Sequence, residues 1–433
     1  MERDEKNRRL KNLLNQVAPG PTADTLPESV RVPSPPAGAM EALEGIEGEG
    51  LEREGLEGMR RAPAPVAERQ ITKETIDRAI EKVSSDEEHR LTPDESFALE
   101  AIVLPKTRPV VFARGASYDD LPEAPWLHLN AADVKTRVGK IMRSIARIEL
   151  PHEPRIPYGG TGFIVGPDLL MTNRHVARLF TVGVGSVAKL RYNGGDAAVD
   201  FKRQVDTPEN DRSAFFEVVK VEMIHPFWDM ALIRVAGLSD KFTPLPLSVE
   251  KPEDLVGRDV LVIGYPARDD RNDLDLQDRI FARTYFVKRL QPGKVMPRGI
   301  IKSFEQEVSA MTHDSSTLGG NSGSAIIDLA TGQVVGLHFA GEYLKANYGV
   351  PTYELARDAR VAKLKLNFSG SAPAPTKDFE PAWRRVGEAT EGPEGSSALS
   401  SSPSPSPSPS PSPSPSPSPS PSPSPSPTPA PAG

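Results

Sequence analysis

The chain has 433 residues, no cysteine and a formal net charge of −7. Without cysteine there are no disulfides and no thiolate metal sites, so the fold rests on packing, and the acidic balance argues against nucleic acid as the main partner. No run approaches membrane-spanning length, and the charged opening Met1–Arg9 has no apolar stretch behind it. A cytoplasmic protein with no membrane partner is therefore expected, although export without a leader would leave no such mark.

Residues 1–70 read as a disordered acidic arm. Prolines at 33, 35 and 36 break any helix, and Glu41–Arg60 carries seven glutamates against two arginines, with Leu-Glu-Gly at 43–45 and again at 56–58. Repeated glycine in a like-charged stretch opposes a stable helix. Helical signals follow. Ile71, Ile76, Ala79, Ile80 and Val83 fall near one face, and Thr92-Pro93-Asp94-Glu95 puts proline at a first helical position with glutamate three after threonine. The two prolines of Leu104–Phe112 predict an extended strap, leading through Trp126. Residues 71–137 thus form a small helical region with a strap, of no legible function.

From 138 to 366 the pattern shifts to short strands separated by turns: Gly162–Val165, Leu169–Thr172, Phe215–Ile224, Met230–Val235, Asp259–Gly264, Gly299–Phe304 and Val334–Phe339. No long helix falls between them, which argues against alternating βαβ units and for antiparallel barrels. A closing helix is expected at Thr352–Leu364. Residues 367–433 read as a disordered tail: 15 of the chain's 45 prolines lie in the last 31 residues, where Ser-Pro alternates. That composition buries nothing and favours an extended, solvated chain. As a proline-rich ligand for a partner it lacks basic or aromatic anchors, so a spacer is expected.

Within the strand-rich part three segments carry chemistry. Gly319-Gly320-Asn321-Ser322-Gly323-Ser324 sets a serine on a tight turn whose glycines free backbone N–H groups to converge on one spot. Thr172-Asn173-Arg174-His175-Val176 ends an apolar strand beside a turn, and Asp229-Met230-Ala231-Leu232-Ile233 opens another. A serine hydroxyl needs a base, and the base needs a carboxylate to fix its tautomer and stabilise the imidazolium. His175, Asp229 and Ser322 supply these parts. Metal chemistry has no comparable signal, since no histidine shows paired spacing with carboxylates, and no cofactor is implied.

These three segments, in the order His, Asp, Ser, resemble the signatures of chymotrypsin-fold serine peptidases, in particular bacterial trypsin-like and glutamyl-endopeptidase-like forms. The resemblance covers about 138–366. It implies a mostly β fold of two antiparallel six-stranded barrels, with His175 and Asp229 in the first and Ser322 in the second. It also implies an oxyanion hole of the Gly320 and Ser322 N–H groups, and protein or peptide substrates. One departure is Asn321, where secreted trypsins carry an aspartate that pairs with a new N-terminus, so activation by N-terminal insertion is not expected. The matching pocket positions are Thr317, His338 and Gly341. Thr317 and His338 are similar to the pocket residues of glutamyl endopeptidases and suit a glutamate or glutamine side chain, and Gly341 would leave its strand open to the substrate backbone. A catalytically silent barrel that binds protein is the competing reading. Oligomeric state is not legible.

Overall fold

The computed structural model describes residues 2–15 and 73–387, apart from 122–123, 154–155, 157, 193–194, 239–241, 270–273 and 343–345. Three helices come first: α1 (Glu2–Leu14), α2 (Lys73–Ser84) and α3 (Pro93–Thr107). The expected cap at Thr92 is present as a full capping box: Thr92 Oγ1 accepts from Glu95 N–H, and a Glu95 carboxylate oxygen accepts from Thr92 N–H. Two expectations are corrected here. Residues 1–70 are not an arm throughout, because Leu10, Leu13 and Leu14 of α1 bury with Ala79, Val83, Leu99 and Leu104 in one apolar cluster. Their i, i+3, i+4 spacing is a helical stripe that neighbouring charges obscured. The acidic Glu41–Arg60 stretch lies outside the described residues. Nor is Leu104–Thr107 extended: the capping box and the buried Leu99 and Leu104 carry α3 through Pro105, although a proline there forfeits one helical hydrogen bond.

Beyond α3 the chain forms the hairpin β1 (Val111–Arg114) and β2 (Ser117–Tyr118), then α4 (Ala132–Met142), which runs across the expected boundary at 138. The first barrel follows. It contains β3 (Ile145–Glu149), β4 (Gly160–Gly166) and β5 (Leu169–Thr172), then the short helix α5 (Arg174–Ala177) and a ribbon of β6 (Thr181–Val182) with β7 (Lys189–Leu190). β8 (Ala198–Asp200), β9 (Phe215–Ile224) and β10 (Ala231–Val235) complete it, closed in the order β10-β5-β4-β3-β8-β9.

The second barrel is preceded by β11 (Leu247–Ser248) and begins with β12 (Asp259–Gly264) and the short α6 (Leu274–Ile280). It continues with β13 (Arg289–Ser303), β14 (Gln306–His313), β15 (Ala325–Asp328), β16 (Val334–Glu342) and β17 (Ala346–Pro351). The ring β12-β15-β16-β17-β14-β13 closes where β13 pairs back onto β12, and β1 adds to β13 from outside.

Strand alternation explains the cores. Ile164, Leu170 and Ile233 belong to a cluster of the first barrel, while Phe163, Met171 and Leu232, one residue away, join a cluster shared with Leu261, Ile263, Ile327 and Leu337 of the second. Both faces of these strands are buried, so they read as continuous apolar runs.

The expected closing helix is two: α7 (Thr352–Arg357) and α8 (Ala359–Lys363), separated by Asp358, whose carboxylate caps α8 by accepting from the N–H groups of Arg360 and Val361. The reading of 367–433 as structureless is corrected for its first part. β18 (Phe368–Ser369) pairs with β11, and α9 (Glu380–Arg385) fully buries Trp383, whose Nε1–H donates to Asp358 at 2.7 Å. The Ser-Pro repeat lies outside the described residues. Among the described residues no helix is long and apolar enough to cross a membrane.

Candidate active site

His175 sits on α5, one turn beyond the end of β5, and Asp229 lies two residues before β10, the strand paired with β5. Strand pairing therefore brings together residues far apart in sequence. Asp229 Oδ1 accepts from the His175 backbone N–H at 3.0 Å, and Oδ2 lies 2.6 Å from His175 Nδ1. Asn173 Nδ2 donates to the Asp229 carbonyl at 2.8 Å. Asp229 is 2% exposed and His175 is 14% exposed. A carboxylate offers only acceptors, so Nδ1 carries the proton and Nε2 is left as a base.

Ser322 is half-buried on the turn between β14 and β15. Gly320 and Gly323 flank it with φ of +82° and +89°, in the left-handed region where a side chain is strained. Space forbids one as well: a Cβ at Gly320 would collide with the Tyr158 hydroxyl, and one at Gly323 with the Thr161 carbonyl. The turn is fastened to the first barrel. Thr161 N–H donates to Ser322 O at 2.8 Å, Thr161 Oγ1 donates to Gly320 O at 2.9 Å, and Thr172 Oγ1 donates to Thr161 O at 2.7 Å. A Cβ at Gly160 would lie 2.9 Å from both Ser322 O and Val176 Cγ2, so the backbone of Ser322 and the neighbour of His175 press on one glycine. The Ser322 turn and α5, which carries His175, thus both border the start of β4 at Gly160 and Thr161.

The N–H groups around the turn divide in two. Gly319 donates to Asp269, Asn321 to Leu318 O, Gly323 to His338 O and Ser324 to Asn321 O. Among the described residues those of Gly320 and Ser322 have no acceptor. Asn321 is fully buried and accepts from Gln291 Nε2 at 3.0 Å, so a neutral hydrogen bond anchors the residue before Ser322.

Thr317 and Gly341 are neighbours, since a Cβ at Gly341 would lie 3.7 Å from Thr317 Oγ1. His338 and Gly341 lie on β16, with a bulge between His338 and Ala340, and Gly341 pairs with Asn347 of β17. Thr317 Oγ1 donates to Asn347 Oδ1, and Asn347 Nδ2 donates to Ser315 O at 2.7 Å. His338 is 3% exposed, and its Nδ1 lies 3.2 Å from His313 Nε2. Burial, then the neighbouring charges of His313 and His175, hold the His338 imidazole well below its usual value. Burial, with the Arg9 charge adding, takes His313 down to about 3. Both rings are neutral near pH 7. His313 Nδ1 is buried with no partner among the described residues. An orphaned acceptor costs less than an orphaned N–H, so His313 Nε2–H donates to His338 Nδ1 and His338 keeps a proton on Nε2.

Asn347 and His313 were not singled out from sequence. Asn347 sits in an ordinary strand, and His313 has no motif linking it to His338. His225 is a packing residue: fully buried, its Nδ1 accepts from the N–H groups of Phe227 and Trp228 at 3.0 Å, and its Nε2 faces Asp358 at 3.2 Å. Among the described residues no group of His, Asp and Glu is placed to hold a metal ion.

Two closed six-stranded antiparallel rings with few helices define a mostly β, chymotrypsin-like fold. Residues 160–337 match the family model of the trypsin-like peptidase domain, a span that runs from β4 into β16. A probable serine protease of Lysobacter enzymogenes is 28% identical over 291 residues, covering 60% of this chain and 74% of that protein. Among solved structures, the active form of the Rv3671c protease of M. tuberculosis is similar at a TM-score of 0.37 and 23% identity, over 61% of this chain and 96% of that one. Its inactive form gives a TM-score of 0.35 at 23% identity, over 56% and 96%.

Proposed function

We propose that this chain is a serine endopeptidase acting through an acyl-enzyme, with Ser322 as nucleophile, His175 as general base and then acid, and Asp229 orienting His175. His175 Nε2 takes the Ser322 proton as Oγ attacks the peptide carbonyl. The tetrahedral oxyanion collapses to an ester, and the same proton leaves on the departing amine. Water, activated by His175, then releases the acid and restores Ser322. The Gly320 and Ser322 N–H groups, which have no acceptor among the described residues, would hold the oxyanion. The observation that carries the reading is Asp229, which accepts from both the backbone and the ring of His175 in a buried site.

The preferred substrate residue before the scissile bond is glutamate or glutamine. His338 Nε2–H suits the side-chain oxygen that both possess, and Thr317 and Asn347 line the neighbouring wall. The working unit is the two barrels, about 138–366, with α9 packed on it. A fluorophosphonate should form its adduct at Ser322, located by mass spectrometry, and Ser322→Ala should lose about 10⁴-fold or more of the peptidase rate. An intact protein that resists the label would be the silent binding module instead. Profiling on a peptide library tests the preference, and cleavage mainly after lysine, arginine or aromatic residues would exclude it.

A further inference from the structure

We propose that Arg108, the residue that follows α3, is a positioning residue for the substrate pocket, holding through Asp314 the segment that carries Thr317. The inference rests on the reading of Thr317 as pocket wall, and it gives the helical region ahead of the barrels a part in substrate choice.

Arg108 joins that region to the wall by side chain and backbone alike. Its side chain is 1% exposed and grips Asp314 with Nε at 2.8 Å and Nη2 at 2.5 Å. A third donor, the Lys294 N–H, reaches the same carboxylate at 2.7 Å. The Arg108 carbonyl accepts from Ser316 Oγ at 2.8 Å. Both contacts thus fall within three residues of Thr317. The end of α3 is itself fixed by the fully buried Trp126, whose Nε1–H donates to the Thr107 carbonyl at 2.7 Å and whose ring lies 5.7 Å from the guanidinium. α1 is locked onto α3 in turn: Ser96 Oγ donates to Asn7 Oδ1 at 2.7 Å, Asn7 Nδ2 donates to Glu88 O at 2.8 Å, and Leu10 and Leu13 are buried in the same cluster as Leu99.

The wall and the Ser322 turn have separate anchors. Besides Arg108, the wall is held by Asn347, which donates to Ser315 O at 2.7 Å and accepts from the Thr317 hydroxyl. The turn is held by Thr161, by Gln291 donating to Asn321 at 3.0 Å, and by the His338 carbonyl accepting from the Gly323 N–H at 2.9 Å. Loss of the Arg108 guanidinium would leave the Asp314 carboxylate with the Lys294 N–H in a site 11% exposed. An unpaired charge at such burial turns towards water. Asp314 would then draw Ser315, Ser316 and Thr317 from their places, and a misplacement of about 1 Å can cost about 10²-fold in rate. Lysine at 108 would supply the charge without the planar two-pronged fork.

The test compares two rates on one preparation of the full chain. One is kcat/KM for the library peptide that the parent cuts fastest; the other is the initial rate of fluorophosphonate labelling at Ser322. The label reports the turn and His175 but puts no side chain in the pocket, and the quotient of the two rates is blind to the fraction of protein folded. Arg108→Met should lower peptide kcat/KM about 30- to 100-fold while labelling stays within about threefold of the parent. Arg108→Lys should lower the quotient only about tenfold, and it carries the same test if the methionine variant does not fold. A proportional fall in both rates would mean that Arg108 merely supports the fold, and no fall in either would mean that the wall does not need it; each result overturns the assignment. Because the peptide is the parent's own best, the test runs whether or not glutamate and glutamine are preferred. A parent that resists the label overturns the peptidase reading instead, and the role of Arg108 falls with it.

Discussion

The hydroxyl of Thr161 donates to the carbonyl of Gly320 at 2.9 Å and accepts from the N–H of Tyr265 at 3.3 Å, so one first-barrel side chain holds two backbone segments of the second. All three residues are buried.

Thr161→Val preserves shape and strands both partners, at about 1–3 kcal/mol for each group left unsatisfied. Because Gly320 belongs to the proposed oxyanion turn, kcat should fall about 10- to 100-fold with KM nearly unchanged. Thr161→Ser should restore most of it. Steady-state kinetics checks this, and an unchanged kcat in the valine variant would detach Thr161 from the turn.

Asp229→Asn places an N–H₂ group against His175 Nδ1 and reverses the ring tautomer. The base is then lost at Nε2, so both peptide hydrolysis and fluorophosphonate labelling should slow by about 10³- to 10⁴-fold, with little change in Tm. Labelling at the parental rate would remove Asp229 from its role.

Acid stability should report Asp358. Burial alone would raise its pKa, but hydrogen bonds from His225, Trp383 and the Arg360 N–H bring it from 3.8 down to about 2. Burial pushes the His225 pKa down, and its Nε2–H donates to Asp358 because Nδ1 accepts two backbone N–H groups. A carboxyl depressed in the folded state stabilises above its unfolded value and loses that contribution as pH falls from about 4 to about 2, here about 2 kcal/mol. Asp358→Asn should melt several degrees below the parent at neutral pH, and the gap should close towards pH 2 to 3. A gap independent of pH would refute the assignment.

His313 and His338 stay neutral far below their usual range. Neither takes up a proton between about pH 5 and 8, so KM for a peptide with glutamine before the cut should be flat there. A KM that changes severalfold near pH 6 would mean that one of the two rings titrates in the free pocket.

The chain also carries its own test of the glutamate preference. Purified protein should be clipped after glutamates of the Glu41–Glu57 stretch, and Ser322→Ala protein should not. Mass spectrometry of stored samples checks both.

The strands were legible in the sequence because each is a local pattern, as are the three segments proposed to carry the chemistry. Leu169–Thr172 and Asp259–Gly264 coincide with β5 and β12, since short buried apolar runs and flanking turns fix them. What escaped depends on contacts between distant residues. Leu10, Leu13 and Leu14 become a helix face only against Leu99 and Leu104, and Trp383 packs only because Asp358 and His225 stand beneath it. The pairs His313–His338 and Thr317–Asn347 are formed by the pairing of β14, β16 and β17, which no spacing encodes.

The docking of α1 by Leu10, Leu13, Leu14 and Asn7 makes its covalent link dispensable in principle. A single cut between residues 16 and 72 would turn the helix into a ligand, retained at high protein concentration and shed on dilution by mass action. Cleaved protein should then show activity that depends on its own concentration and on added helix peptide, a behaviour that the uncut chain cannot have.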